Sequence, residues 1–105
     1  MDRLIERTIA WAEKHGINNG HTQALKTVEE LSEIITEMNH ERYGADFEDG
    51  FGDTLISLTI LAHIYGVDIL KCWEDALGVI EKRTGITHCG NFIKDEDERV
   101  KYQSF

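Results

Sequence analysis

No proline occurs anywhere in this chain of 105 residues, and its glycines fall mainly between stretches where apolar side chains recur every three or four positions. Proline is the strongest helix breaker, so its absence leaves those stretches free to run as uninterrupted helices. The spacing predicts a first helix over Asp2 to His15, with Leu4, Thr8, Trp11 and Ala12 as its stripe, ended by Gly16. A turn over Ile17 to Gly20 leads to a second helix over Thr22 to Arg42, whose apolar stripe is Leu25, Val28, Leu31, Ile35 and Met38. Asp46 reads as the N-cap of a third helix reaching Tyr65, with Asp49 placed to close a capping box. That helix is apolar almost all round, so it is expected to be buried in a larger core formed between subunits. Gly66 ends it, and Asp68 reads as the cap of a fourth helix to Arg83. The segment ITHCGNFIK suits short extended pieces, and KDEDERVKYQSF reads as a solvated helix or loose tail. Trp11 and Trp73 lie on apolar stripes and are expected in the core.

The charge is distributed very unevenly. Residues 29–53 hold nine acids (Glu29, Glu30, Glu33, Glu37, Glu41, Asp46, Glu48, Asp49 and Asp53) against one base, Arg42, a net −8 where the whole chain carries −9. Ordinary solvated helix faces explain part of this. Glu29, Glu30 and Glu33 share one face of the second helix, nearly opposite its apolar stripe, as on any amphipathic helix. Asp53 fits that account less well. It falls within the apolar third helix, where a buried carboxylate must be paired, protonated or bound to a metal.

The overall acidity argues against a nucleic-acid backbone as partner. It leaves open small phosphorylated ligands, to which a divalent cation can couple carboxylates. The acid-bearing start MDRLIERTIAW does not read as a signal peptide, and the apolar run Thr54 to Val67 is too short to span a bilayer. Cys72 and Cys89 form neither a disulfide framework nor a CxxC knuckle. A cytoplasmic protein without membrane or nucleic-acid partners is the resulting expectation, and so short a chain gains by burying surface against copies of itself.

A short connector should pack the second and third helices antiparallel, which can bring the Glu29, Glu30 and Glu33 face beside Asp49 and Asp53. Several carboxylates on two rigid helices suit Mg²⁺ or Mn²⁺. At this point the sequence resembles the all-α nucleoside triphosphate pyrophosphohydrolases of the MazG type, whose hallmark is EExxE on one helix and ExxD on the next. Glu29-Glu30-Leu31-Ser32-Glu33 matches the first half, and Glu48-Asp49-Gly50-Phe51-Gly52-Asp53 corresponds to the second. The likeness extends through WAEKHGI, QALKTVEELSE and DGFGDTLISLTILA to RTG and NFIKDED, and is greatest to the small phage-type members.

The resemblance implies an all-α, four-helix MazG-like bundle as a single domain over residues 1–105, oligomeric as a homo-dimer or homo-tetramer, with a short irregular or extended C-terminal segment. It implies Mg²⁺, or Mn²⁺, held by Glu30, Glu33, Asp49 and Asp53, with Glu29, Glu30, Glu33 and Asp53 carrying the hydrolysis of a nucleoside triphosphate. One departure matters: the acid three residues before Asp53 is replaced by Gly50, and Asp49 can stand in as ligand or remain a helix cap. A glutamate restored at position 50 is expected to return the carboxylate that the pattern lacks. Gln23 and Lys26 are candidate nucleotide contacts, or surface residues with Lys26 paired to Glu30. Lys82, Arg83 and Lys94 are the nearest approach to a phosphate clamp, although helix ending and tail solubility explain them equally well.

Competing readings have less behind them. Glu37-Met38-Asn39-His40 forms one ExxH without the second that a di-iron bundle needs. His88 and Cys89 lack a partner pair for zinc. The rival from another class is a non-catalytic helical protein whose acidic face docks a basic partner, or a metal-binding but inactive relative.

Overall fold

The computed structural model describes residues 2–95. Four helices, α1 (Asp2–Lys14), α2 (Gly20–Asn39), α3 (Ala45–Ile64) and α4 (Ile69–Glu81), are followed by two strands, β1 (Gly85–His88) and β2 (Asn91–Lys94). The chain is thus mostly helical, as the periodicity predicts. It divides into two compact units, the first ending at Leu70 and the second beginning at Lys71. The tail beyond Asp95 lies outside the described residues. No single helix among the described residues is long and apolar enough to cross a membrane.

The helix ends follow from local chemistry. Asn19 caps α2 by accepting a hydrogen bond from the Thr22 amide at 3.0 Å. The first three helices end on a left-handed residue, namely Gly16, Glu41 and Gly66. Just beyond each of them an amide closes back onto the last turn: Ile17 to Ala12, Arg42 to Glu37 and Val67 to Ala62. Because Glu41 takes that conformation, α2 stops at Asn39, short of the expected Arg42. At the start of α3 the expectation is corrected. Gly44 is the N-cap, with no side-chain capping bond, so Asp46 and Asp49 both lie inside the helix and neither caps it.

In the first unit α3 is central, packing against both α1 and α2. Ala12 is fully buried on α1, and the Glu13 carboxylate meets His63 Nε2 on α3 at 3.0 Å. The α2–α3 seam is antiparallel, with Gln23 meeting Ser57 near one end and Ile34 meeting Gly50 near the other. It is partly polar. The Gln23 amide donates to the Ser57 carbonyl and to Ser57 Oγ, both at 3.0 Å, and Thr27 Oγ1 lies 2.9 Å from Ser57 Oγ. Buried amides and hydroxyls with their bonds made hold a seam in register without a desolvation penalty.

The face of α2 that enters this seam is therefore Gln23, Thr27, Glu30 and Ile34, not the apolar stripe. Leu25, Val28, Leu31, Ile35 and Met38 are all exposed. At about 100° per residue, Leu31, Ile35 and Met38 lie roughly 60–120° from the seam in one sense, and Glu29 and Glu33 roughly 80–120° in the other. On α3, Phe51, Leu55 and Leu58 lie roughly 80–140° from the Gly50–Ser57 line in the first sense, and Asp49 and Asp53 roughly 60–100° in the second. Since the helices run antiparallel, equal rotations emerge on the same side of the pair. The hairpin of α2 and α3 consequently has one apolar flank and one acidic flank. Within the single chain α3 is not covered all round, since Phe51, Leu55, Ile56 and Leu58 are exposed; the expectation that Trp11 and Trp73 lie in the core is corrected, each being about half exposed at 51%.

In the second unit β1 and β2 pair antiparallel, with Ile86 opposite Ile93 and Thr87 opposite Phe92. The two-residue turn between them, Cys89-Gly90, takes positive φ at both positions, the geometry whose twist suits a tight hairpin. Ile93 is its buried side chain.

Candidate metal and phosphate site

On the acidic flank α2 and α3 leave an open cleft of about 300 Å³, lined by Glu33, Glu37, Asp46, Asp49, Gly50 and Asp53. Five of the six lining residues are carboxylates, drawn from both helices, and none is basic. The sequence places Glu33, Asp49 and Asp53 among the candidate ligands, and the fold brings those three to one cleft. Asp53 is exposed there, which corrects the expectation of a carboxylate buried in an apolar surround. Asp49, released from any capping duty, lies one turn before it.

Glu37 and Asp46 join the cleft without having been singled out as site residues. The signal was present, since Glu37 follows Glu33 by four residues and Asp46 precedes Asp49 by three, so each lies on its neighbour's face. Glu37 is already engaged at the rim. The Arg42 guanidinium donates to both its oxygens, at 2.7 and 3.2 Å. That bond holds the Glu37 carboxyl below its ordinary range and raises Arg42 in turn. Among the described residues, Glu33, Asp46, Asp49 and Asp53 have no cation within ion-pair distance.

The other expected site residues fall elsewhere. Glu30 is buried, lies in the helix seam outside the cleft lining, and binds Lys26 at 3.1 Å. Its bond to Lys26, first, and then its charge with those of Glu29 and Glu33 hold the Lys26 ammonium above its ordinary value. The sequence alternative in which Lys26 pairs with Glu30 is the arrangement found. Glu29 is exposed and does not line the cleft. The Gln23 side-chain amide donates both of its described hydrogen bonds to Ser57, so this residue is part of the seam. Lys82, Arg83 and Lys94 belong to the second unit.

Oxygen-only donors on two helices match in chemistry what a hard divalent cation requires. They are spread along the cleft: among the described residues no three acidic, histidine or cysteine side chains are gathered closely enough to form a finished ligand shell. The donor set thus fits such an ion by type, and side-chain movement has to complete the shell. Compared with protein-family models, curated proteins and solved structures, the chain finds no match in any of the three.

Proposed function

We propose that this protein is a Mg²⁺-dependent nucleoside triphosphate pyrophosphohydrolase, converting a (d)NTP to the monophosphate and pyrophosphate. One observation carries the reading: a single cleft lined by carboxylates from both helices, among them Glu33, the last acid of EExxE, and Asp53, the closing acid of the second half of the MazG-type pattern that the sequence resembles. Glu33, Asp49 and Asp53 would hold the cation, with Asp46 and Glu37 at the edges of the cleft. A divalent ion bound there would neutralise charge on the phosphate chain and on the leaving pyrophosphate. One of the remaining carboxylates would take the proton of the attacking water. Glu30, held by Lys26 within the seam, would position the α2 face that carries Glu33.

Electrostatics makes the reading sharp. A cleft with five carboxylates and no basic lining residue repels a bare triphosphate, so substrate can approach only together with a cation. A panel of NTPs and dNTPs assayed with Mg²⁺ or Mn²⁺ is expected to give monophosphate plus pyrophosphate, and chelation by EDTA is expected to stop the reaction. Release of single phosphate, or turnover that survives EDTA, would overturn the assignment. Absence of hydrolysis across the panel would favour the non-catalytic acidic interaction protein.

A further inference from the structure

We propose that Arg42 takes the terminal phosphate of the substrate, giving up its bond to the Glu37 carboxylate as it does so; the proposal rests on the pyrophosphohydrolase reading. Arg42 is the one base among residues 29–53. Its place at the rim is set by the way α2 ends. The left-handed turn at Glu41 returns the chain so that the Arg42 amide donates to the Glu37 carbonyl at 2.9 Å. The side chain then folds back on the same residue, Nε and Nη2 donating to the two Glu37 carboxylate oxygens at 2.7 and 3.2 Å. Backbone and guanidinium of Arg42 are thus both fixed on a residue that lines the cleft. Asp46, which lines it from α3, adds its field at the same guanidinium.

A guanidinium that grips a carboxylate through two parallel bonds presents the fork that also matches two oxygens of a phosphate. A terminal phosphate carries more negative charge than a carboxylate, so it can displace Glu37 from that fork. The order of residues along the cleft says which phosphate arrives there. Glu37 lies one turn, about 6 Å, nearer the α2–α3 connector than Glu33, and Asp46 precedes Asp49 and Asp53 on α3. The carboxylates that suit the cation therefore sit toward one end and Arg42 at the other. A phosphate chain bound by its inner groups at the first end brings its last group to the second. Lys26 does not compete for this role, because Glu30 holds it at the seam. Arg42 so placed reads the length of the phosphate chain, since a monophosphate at the cation end does not reach it.

Calorimetric titration with magnesium pyrophosphate, run beside steady-state kinetics on the nucleotide panel, tests this. Arg42→Gln is expected to weaken pyrophosphate binding and to raise KM for triphosphates by on the order of tenfold, with a smaller change in kcat. Its thermal midpoint should stay near that of wild type, since Arg42 is exposed. Arg42→Lys, which keeps the charge without the fork, should recover only part of the loss. Glu37→Gln should tighten pyrophosphate because the guanidinium is freed, and that gain should largely vanish once Arg42→Gln is added. A gain of equal size in both backgrounds, or a pyrophosphate affinity untouched by Arg42→Gln, would overturn the proposal even where wild type yields monophosphate and pyrophosphate. A wild type that binds no magnesium pyrophosphate would overturn it too. Pyrophosphate binding that depends on Arg42, in a protein that hydrolyses no nucleotide, would uphold the Arg42 site and count against the hydrolase reading alone.

Discussion

Asp53→Asn is expected to lower nucleotide turnover by on the order of 100-fold or more, the usual cost of removing a group that acts in the transition state. It should leave the helical fold intact. Asparagine has the volume of aspartate, and Asp53 is exposed in the cleft with no ion-pair partner among the described residues. In the absence of divalent cation the variant should melt no lower than wild type, since one of several mutually repelling carboxylates has gone. Mn²⁺ binding followed by electron paramagnetic resonance should weaken in parallel with the rate. Glu48→Gln is the matched control, because Glu48 lies in the same acidic segment but does not line the cleft. Equal losses in both variants would mean that the segment acts through bulk charge and that Asp53 has no special part.

Gly50→Glu is expected to destabilise the protein, and so to fail as a way of placing an acid three residues before Asp53. Gly50 is buried in the seam, and a Cβ built on it would come within 2.6 Å of Ile34 Cγ1, closer than such atoms approach. Overpacking of this kind costs about 1–3 kcal/mol. Entering a glutamate chain there also forces its charge out past the seam or leaves it desolvated. The better helix propensity of glutamate offsets roughly 0.5 kcal/mol or more, too little to reverse the sign. Denaturant midpoints should therefore fall for Gly50→Glu and, by less, for Gly50→Ala, with partial recovery when Ile34→Ala is added. A Gly50→Glu protein as stable as wild type would show that Ile34 gives way freely. On this account glycine at position 50 is explained by packing, since it lets α2 and α3 approach closely, while the neighbouring Asp49 lines the cleft.

Much of the helical framework could be read from periodicity and punctuation, because helix stops such as Gly16 and Gly66 act locally. What sequence reading misplaced was the rotation of the helices. An apolar stripe is ordinarily taken as the face turned to the rest of the chain, yet in α2 the seam is made by Gln23, Thr27, Glu30 and Ile34. Buried polar residues whose bonds are satisfied within the seam look, in a sequence, like surface residues. For the same reason Gln23 reads as a nucleotide contact and Glu30 as an exposed ligand. Glu33, Asp49 and Asp53 remained legible because helical spacing alone puts each on the face that borders the cleft. Glu37 and Asp46 carried the same signal, lying four residues after Glu33 and three before Asp49, but the EExxE and ExxD pattern drew attention away from them.

The division of the α2–α3 hairpin into two flanks constrains which changes in chain length the protein can accept. Removing one residue from α3 between Gly50 and Asp53 would turn everything beyond it by about 100° relative to the seam. Ser57 would leave its bonds to Gln23, Leu58 would swing toward the position Ser57 vacates, and Asp53 would no longer face Glu33. A residue added to the five-residue connector between Asn39 and Ala45 leaves both helical phases unchanged and costs only a little loop entropy. Single-residue insertions and deletions scanned along the chain and read out by soluble yield should accordingly be tolerated at positions 40–44 and rejected at 46–60. Uniform tolerance across both stretches would mean that the phase of the hairpin does not hold the molecule together.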